Sequence, residues 1–501
     1  MKPTVNFVLH AHLPWVKGAG VWPFGQEWLY QAMLGTYVPL LDMLGRLRAA
    51  GIRGAIVLGI TPVLIEMLRD PLLQMGFDRY LDARVELLEA DIVAFGSDEQ
   101  PLRKLALGAR AAIQNVRKRW RGAYKRDLAG SFADFAETGQ IEIITSAATH
   151  AYLPLLESQA AVEAQIANGI AVTADAFGKR PAGFWLPECA FVPELLDVLE
   201  RFEMQFFYAD ERALRQAVPN VNAAFAFPGS PVSYFVRNPL ARGELADSDL
   251  GYPGNSWYRE FYKRHERSGM RYWRVTARDC GLGEKEPYEP ARALEQLRLH
   301  ANDFVRKIES LGNTAEQAHL TFTFDAELFG HWWAEGILWL EETLVQVHYE
   351  GAAVFEFPSS YLQRHRGRTE FALPASSWGA GGDNRTWANP QTRSYWEAVH
   401  GAQNEFTELL GRADAQSPLM QQAARELFLL QSSDWPFLIS TGTAGEYPVQ
   451  RFRTHAARFA ECSRALRNRP HDPKVVQEAM RDDALFAVVE THPYARAAAR
   501  A

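Results

Sequence analysis

Two carboxylates stand where apolar runs end. Glu188 closes FWLPE and is followed by Cys189, Ala190 and Phe191, and Asp325 closes HLTFTFD. A charge among apolar neighbours costs several kcal/mol unless it is paired or hydrogen-bonded. Each is therefore either satisfied by a partner or placed for chemistry. Two facing carboxylates are what glycosidic-bond chemistry needs: one attacks the anomeric carbon or activates water, and the other protonates the leaving oxygen. The same two residues would also serve as buried, satisfied carboxylates capping loops.

Histidines mark similar positions. His10 and His12 of HAHLP lie on one face of an extended segment, His150 closes ITSAATH, and His331 of FGHWWAEG follows the Asp325 run beside two tryptophans. An HxH pair at a strand end binds a metal, hydrogen-bonds a sugar hydroxyl, or satisfies itself within the fold. The chain has 14 tryptophans, several in loop-like context, among them Trp22, Trp28, Trp332, Trp387 and Trp396. Core packing is their default role. Beside polar groups they also suit a flat, hydroxylated ligand, whose apolar face an aromatic ring covers.

The elements that must position these residues follow from periodicity. Apolar, strand-like runs occur at 5–12, 54–61, 141–150, 182–188, 204–211 and 319–328, with helical patterns at 86–95, 101–120, 156–178 and 191–202. Such alternation predicts parallel βαβ units. Several runs end in polar residues, including Asp210 and Glu211. That suits a β/α barrel, whose active site gathers at the carboxyl ends of the strands; an open doubly wound sheet is the other arrangement. Neither GxGxxG after the first strand nor GxxxxGK[ST] occurs, so nucleotide binding is unsupported. Residues 213–270 are rich in Pro, Gly and Asn and read as an insertion, and 366–390 read as loop. Beyond 396 the texture is helical: Ser417 is an N-cap with Pro418 at the first helical position, and Phe452, Ala456, Phe459 and Leu466 share a stripe.

Composition narrows the class. The 501 residues carry a formal net charge of -7, which argues against a nucleic-acid partner. The basic run RKRWRGAYKR (117–126) reads as a solvated helix face rather than a phosphate site. Cys189, Cys280 and Cys462 show no CxxC spacing, no apolar run approaches the ~20 residues of a membrane span, and the first residues lack a signal-peptide layout. A cytoplasmic protein with no membrane partner is expected.

Taken together, HAHLPW, GQIEIITSAATHAYLPL, FWLPECAF, TFTFDAELFGHWWAEG and ARELFLLQSSDWPFLISTGTA resemble glycoside hydrolase family 57, in particular its 1,4-α-glucan branching enzymes, from about residue 4 to about 460. The resemblance implies a (β/α)7 barrel with a small inserted domain and a helical C-terminal domain. The corresponding divisions are 1–188 with 271–395 for the barrel, 189–270 for the insertion and 396–501 for the helices. It implies an α-glucan polysaccharide substrate and no metal or organic cofactor. It makes Glu188 the nucleophile and Asp325, rather than Glu327, the general acid/base. His10, His12 and His150 become contacts at the sugar nearest the bond. Trp273, Trp387 and Trp396 become aromatics of the glucan cleft, with Trp22, Trp28 and His331 beside them and Asp434 pointing back toward it.

The chain departs from the family pattern at one place. Branching enzymes of the family carry a loop tyrosine that shields the intermediate, yet residues 212–233 contain none. Phe225 and Phe227 are the nearest aromatics, with Tyr234 and Tyr252 as candidates. Four readings follow: a branching enzyme; an α-1,4-glucan hydrolase on the same carboxylates; a metal-dependent deacetylase or phosphoesterase using His10 and His12; and a glucan-binding protein without catalysis.

Overall fold

The computed structural model describes residues 2–214, 221–246, 251–312, 318–365, 368–411 and 414–498. The six strand-like runs all form strands: β1 (Thr4–Ala11), β2 (Ile56–Ile60), β3 (Ile141–Ser146), β4 (Gly183–Trp185), β5 (Phe206–Ala209) and, after two more, β8 (His319–Asp325). The two between are β6 (Ala224–Ala226) and β7 (Ser233–Val236). Strands β8, β1, β2, β3, β4, β5 and β7 lie side by side in that order, and every adjacent pair is parallel. The edges then meet, since the Asn238 N–H just past β7 donates to the Thr321 carbonyl of β8 at 2.8 Å. This is the seven-stranded β/α barrel. Strands covered on both faces need apolar residues throughout, and β2 is buried at all five positions.

The stretch expected as an insertion contributes to the barrel. Within 189–270, β5 and β7 are barrel strands and β6 pairs antiparallel with β7. Prolines and glycines hid β6 and β7, which are only three and four residues long and joined by a turn at Gly229. Residues 215–220 and 247–250 of that stretch lie outside the described residues.

Helices Val38–Ala49, Gln159–Phe177, Glu194–Arg201 and Pro290–Gly312 cross between successive strands. Gln159–Phe177 approaches β3 closely at Gly169, where an added Cβ would lie 2.0 Å from the Ser146 carbonyl oxygen. The basic run 117–126 faces acid: Arg117, Arg119, Arg121 and Arg126 pair with Asp42, Asp78 and Asp82. No helix among the described residues is long and apolar enough to cross a membrane.

From Arg393 onward the chain is helical, as expected. Ser417 caps Pro418–Leu430 by accepting from the Met420 N–H, and Phe452 and Phe459 bury the stripe of Tyr447–Leu466. These helices fold back on the barrel. Residues Ala151 and Ser432 form an antiparallel bridge, and Trp15 Nε1 donates to Asp483 at 2.8 Å.

Candidate active site

Register explains why distant residues meet. His10 of β1 is the in-register partner of Asp325 of β8 and of Gly59 of β2. In-register residues of parallel strands point to the same face, so His10 and Asp325 share the carboxyl-end mouth. Glu188 arrives differently. It sits in the turn Pro187–Cys189 after β4 with φ 62°, and Cys189 follows at φ 49°. Such left-handed backbone at non-glycine residues costs about 1–3 kcal/mol each, and here it turns the carboxylate into the mouth.

The environment answers how a carboxylate is tolerated there. Glu188 Oε2 accepts from Trp378 Nε1 at 2.7 Å, and Oε1 accepts from the Ser433 hydroxyl at 2.9 Å. Burial pushes its carboxyl up to about 7; the two hydrogen bonds oppose that rise, and the charges of Asp325 and Asp434 add to it. Asp325 is its opposite: exposed to the cleft, with no side-chain hydrogen bond among the described residues. The surrounding protein withholds enough water to push it up to about 6, against the pull of Arg237 and His12. Glu327, two residues on, is buried and spent: it accepts from Tyr37 Oη at 2.5 Å and from the His12 N–H at 3.2 Å. Asp210 and Glu211 are likewise taken up by Arg212 and Arg242.

Three histidines stack beside Glu188. The rings of His12 and His150 lie 3.8 Å apart, and His10 rests on Trp185 at 4.6 Å. His12 Nε2 meets Asp434 Oδ2 at 2.9 Å. Burial works against charge on His12, but Asp434, Glu188 and Glu327 outweigh it and raise its pKa. His10 and His150 are held well below the usual value by burial and by neighbouring imidazoles. His12, His150 and Asp434 offer ligand atoms within 4.8 Å of one another. Those atoms are already engaged, His12 with Asp434 and His150 with His10 and Ser433.

The structure thus brings together Glu188, Asp325, His10, His12, His150 and Asp434. The other expected residues stand apart from this cluster. Trp387 is buried, stacked on Tyr152 at 4.6 Å, and Trp396 is buried with its Nε1 donating to the Trp387 carbonyl. Trp387 packs against Phe437 of the C-terminal helix Asp434–Thr441, and Trp396 lies within the helix Arg393–Leu410. Trp28 packs edge-on to Phe24 and Tyr447, while Trp22 is 76% exposed. Trp273 lies under Lys263, and His331 packs on Phe261, held to about 3 by burial and by Arg271 and Arg264. The candidate tyrosines are both occupied elsewhere: Tyr234 is buried in β7 against Phe225, and Tyr252 donates to Asp303 and stacks on His300.

Sequence reasoning missed Trp378, Ser433, Arg237 and Tyr37. Ser433 sits inside the quoted SSDWPF motif, so the motif itself was its signal. Nothing local marks Trp378, which reaches Glu188 across 190 residues.

A parallel barrel whose mouth holds one donor-bound carboxylate and one free carboxylate belongs among enzymes that break or remake glycosidic bonds. The model of glycosyl hydrolase family 57 matches residues 6–374, and that of the 1,4-alpha-glucan branching enzyme C-terminal region matches 398–494. The chain belongs to glycosyl hydrolase family 57. It is 35% identical to a 1,4-alpha-glucan branching enzyme of Thermococcus kodakarensis, over 99% of this chain and 79% of that protein. Its structure is similar to the family 57-type branching enzyme of Pyrococcus horikoshii, with TM-score 0.92 and 34% identity over 99% of this chain and 97% of the other. It is also similar to the alpha-amylase AmyC of Thermotoga maritima, with TM-score 0.88 and 28% identity over 99% of both chains.

Proposed function

We propose that the protein is a retaining 1,4-α-glucan branching enzyme that cuts α-1,4 links in amylose- or glycogen-type chains and forms α-1,6 links. Glu188 attacks the anomeric carbon, and Asp325 gives its proton to the departing glucan. A β-glycosyl ester of Glu188 forms. Asp325 then takes the proton of an acceptor 6-hydroxyl, which displaces Glu188 and restores the α configuration. The observation that carries this reading is the unlike pair at the mouth. Glu188 has two donors that favour its anion, as a nucleophile needs, while Asp325 has none and faces the cleft, as a proton carrier needs. His10, His12 and His150 line the sugar subsite, with Asp434 holding His12. Trp22 offers ring surface to a glucan, and Trp28, Trp273, His331, Trp387 and Trp396 shape the walls. The three cysteines are free, which fits a reducing cytoplasm and a role in glycogen metabolism.

A second reading, an α-1,4-glucan hydrolase, has a specific support. Tyr234 and Tyr252 are both buried away from the carboxylates, so neither shields an intermediate from water. The likeness to the Thermotoga maritima amylase points the same way. Amylose incubated with the purified protein separates the two. Loss of iodine staining with few new reducing ends, and short chains released by a debranching enzyme, is the expected result. Reducing ends rising in step with the staining loss, with nothing to debranch, would establish the hydrolase instead.

A further inference from the structure

A row of hydrogen bonds ends on Glu188, and donor chemistry fixes its direction. An ionised carboxylate only accepts, and a serine hydroxyl has one proton to give. Ser433 Oγ gives that proton to Glu188 Oε1 at 2.9 Å. Its 2.8 Å contact with His150 Nδ1 must then be received, so His150 carries its proton on Nδ1. His150 is uncharged, since burial and the imidazoles of His12 and His10 hold its pKa well below the usual value, and its Nε2 is therefore an acceptor. The 2.9 Å contact between the two Nε2 atoms takes its proton from His10. His10 is uncharged for the same reason, which leaves its Nδ1 bare. That atom is the one ring nitrogen of the three stacked histidines that is buried with no hydrogen-bond partner among the described residues. The deduced tautomers thus leave no buried N–H unsatisfied, whereas the reverse set would orphan one.

The backbone supports the same joint. The Ser433 N–H donates to the His150 carbonyl at 3.0 Å, and His150 itself sits at φ 57°. Ser432 bridges Ala151 next door. The C-terminal helical part therefore seats one hydroxyl between a barrel histidine and a barrel carboxylate, 245 residues from the latter.

We propose that Ser433 is a positioning residue for the nucleophile, the last link of a one-way chain from His10 through His150 and Ser433 to Glu188. The hydroxyl fixes which way the Glu188 carboxylate faces and favours its anion, while the lone pairs not used by Ser433 and Trp378 stay free for attack. The other titratable groups facing Glu188 are Asp325 from β8, Asp434 from the C-terminal helix Asp434–Thr441, His12 after β1, Tyr152 after β3 and the neighbouring Cys189. The kinetic part of this inference rests on the functional reading above; the hydrogen-bond direction does not.

Two measurements test it. Nitrogen-15 spectra of histidine-labelled full-length protein at pH 8, with signals identified through His150→Gln and His10→Gln, report the tautomers directly. Protons on His150 Nδ1 and His10 Nε2 are expected, and the reverse pair would overturn the chain. Ser433→Ala is then compared with Ser433→Thr on amylose. Losing a hydrogen bond to a charged group predicts a kcat lower by about tenfold or more, and an acidic limb of kcat/KM moved up by on the order of one pH unit, with KM little changed. Threonine, which keeps the hydroxyl, should restore most of both. A Ser433→Ala enzyme with unchanged kcat and pH profile overturns the positioning role. If Ser433→Ala does not fold, the tautomers of the unsubstituted protein still decide. If that protein leaves amylose unchanged while the tautomers are as deduced, the functional reading fails and the hydrogen-bond chain stands.

Discussion

Two tight clusters among the described residues combine histidine with carboxylates, and of these two one is left open. At the barrel mouth, Glu188 sits on left-handed backbone and Asp325 faces the cleft without a hydrogen-bond partner among the described residues. Among the C-terminal helices, Glu426, His455 and Asp483 lie together with no exposure at all. There Gln422 donates to Glu426, His455 contacts Glu426 at 2.9 Å, and Arg458 and Trp15 donate to Asp483. Burial and the Asp483 charge push Glu426 well above the ordinary carboxylate range, and burial with Arg451 and Arg458 holds His455 well below its own. Shifted titration is thus common to both clusters and does not single out a reactive one. What differs is saturation. The helical cluster is matched donor for acceptor and reached by nothing, so it clamps helices to the barrel through Trp15. The mouth keeps one acid free where a substrate can arrive.

That contrast predicts opposite effects of substitution. Glu188→Gln keeps the shape but removes the nucleophile, and its single amide oxygen accepts from only one of Trp378 and Ser433, so amylose turnover should fall by about 10⁴-fold or more with little change in thermal unfolding. Near-normal turnover would remove Glu188 from its role. Asp325→Asn should lower kcat by about 10²–10⁴-fold. In the unsubstituted enzyme, kcat/KM against pH should be a bell. Below about 6 both carboxyls are protonated and the nucleophile is gone; above about 7 both are ionised and no proton remains for the leaving group; between them the pair shares one proton, and the productive form carries it on Asp325. A flat profile across pH 5–8 would break the pairing. Asp483→Ala should do the reverse of the mouth variants. It leaves the Arg458 guanidinium, held at 10% exposure, with Asp482 alone and Trp15 Nε1 without its acceptor, and should cost about 2–4 kcal/mol of stability while kcat of the folded enzyme is retained. A tenfold loss of kcat without destabilisation would place the helical cluster in the chemistry.

Much of this contrast was legible in the sequence, and the reasons are physical. Parallel strands buried on both faces must be apolar runs, and a barrel must end them at one mouth, so Glu188, Asp325 and the three histidines could be read together. The helical cap at Ser417 was local and equally plain. The hidden parts depend on long-range approach. β6 and β7 are too short for periodicity and lie among turn residues. Trp387 and Trp396 carry loop-like neighbours, yet closure of the C-terminal helices buries them, which no local signal reports. Trp378 and Ser433 reach Glu188 across 190 and 245 residues, and of the two only Ser433 lies in a motif that could have pointed to it.

The smallest expected effect sharpens the comparison most, because it asks how saturated the nucleophile is. Trp378→Phe removes one donor from Glu188 Oε2 and keeps most of the ring that packs on Trp185 at 5.2 Å. The backbone bond from the Trp378 N–H to the Glu188 carbonyl, 2.9 Å, survives, so the turn keeps its shape. Ser433 still serves Oε1. The loss should therefore be about tenfold in kcat, with the acidic limb of kcat/KM shifted upward because the anion has lost a donor. Combined with Ser433→Ala, the carboxylate has neither donor and resembles Asp325. If each donor acts alone, the two losses multiply; if they act on one shared charge and orientation, the double variant deviates from that product. A double variant no slower than Ser433→Ala alone would mean that Trp378 only packs, and that Glu188 is held by the C-terminal helices alone.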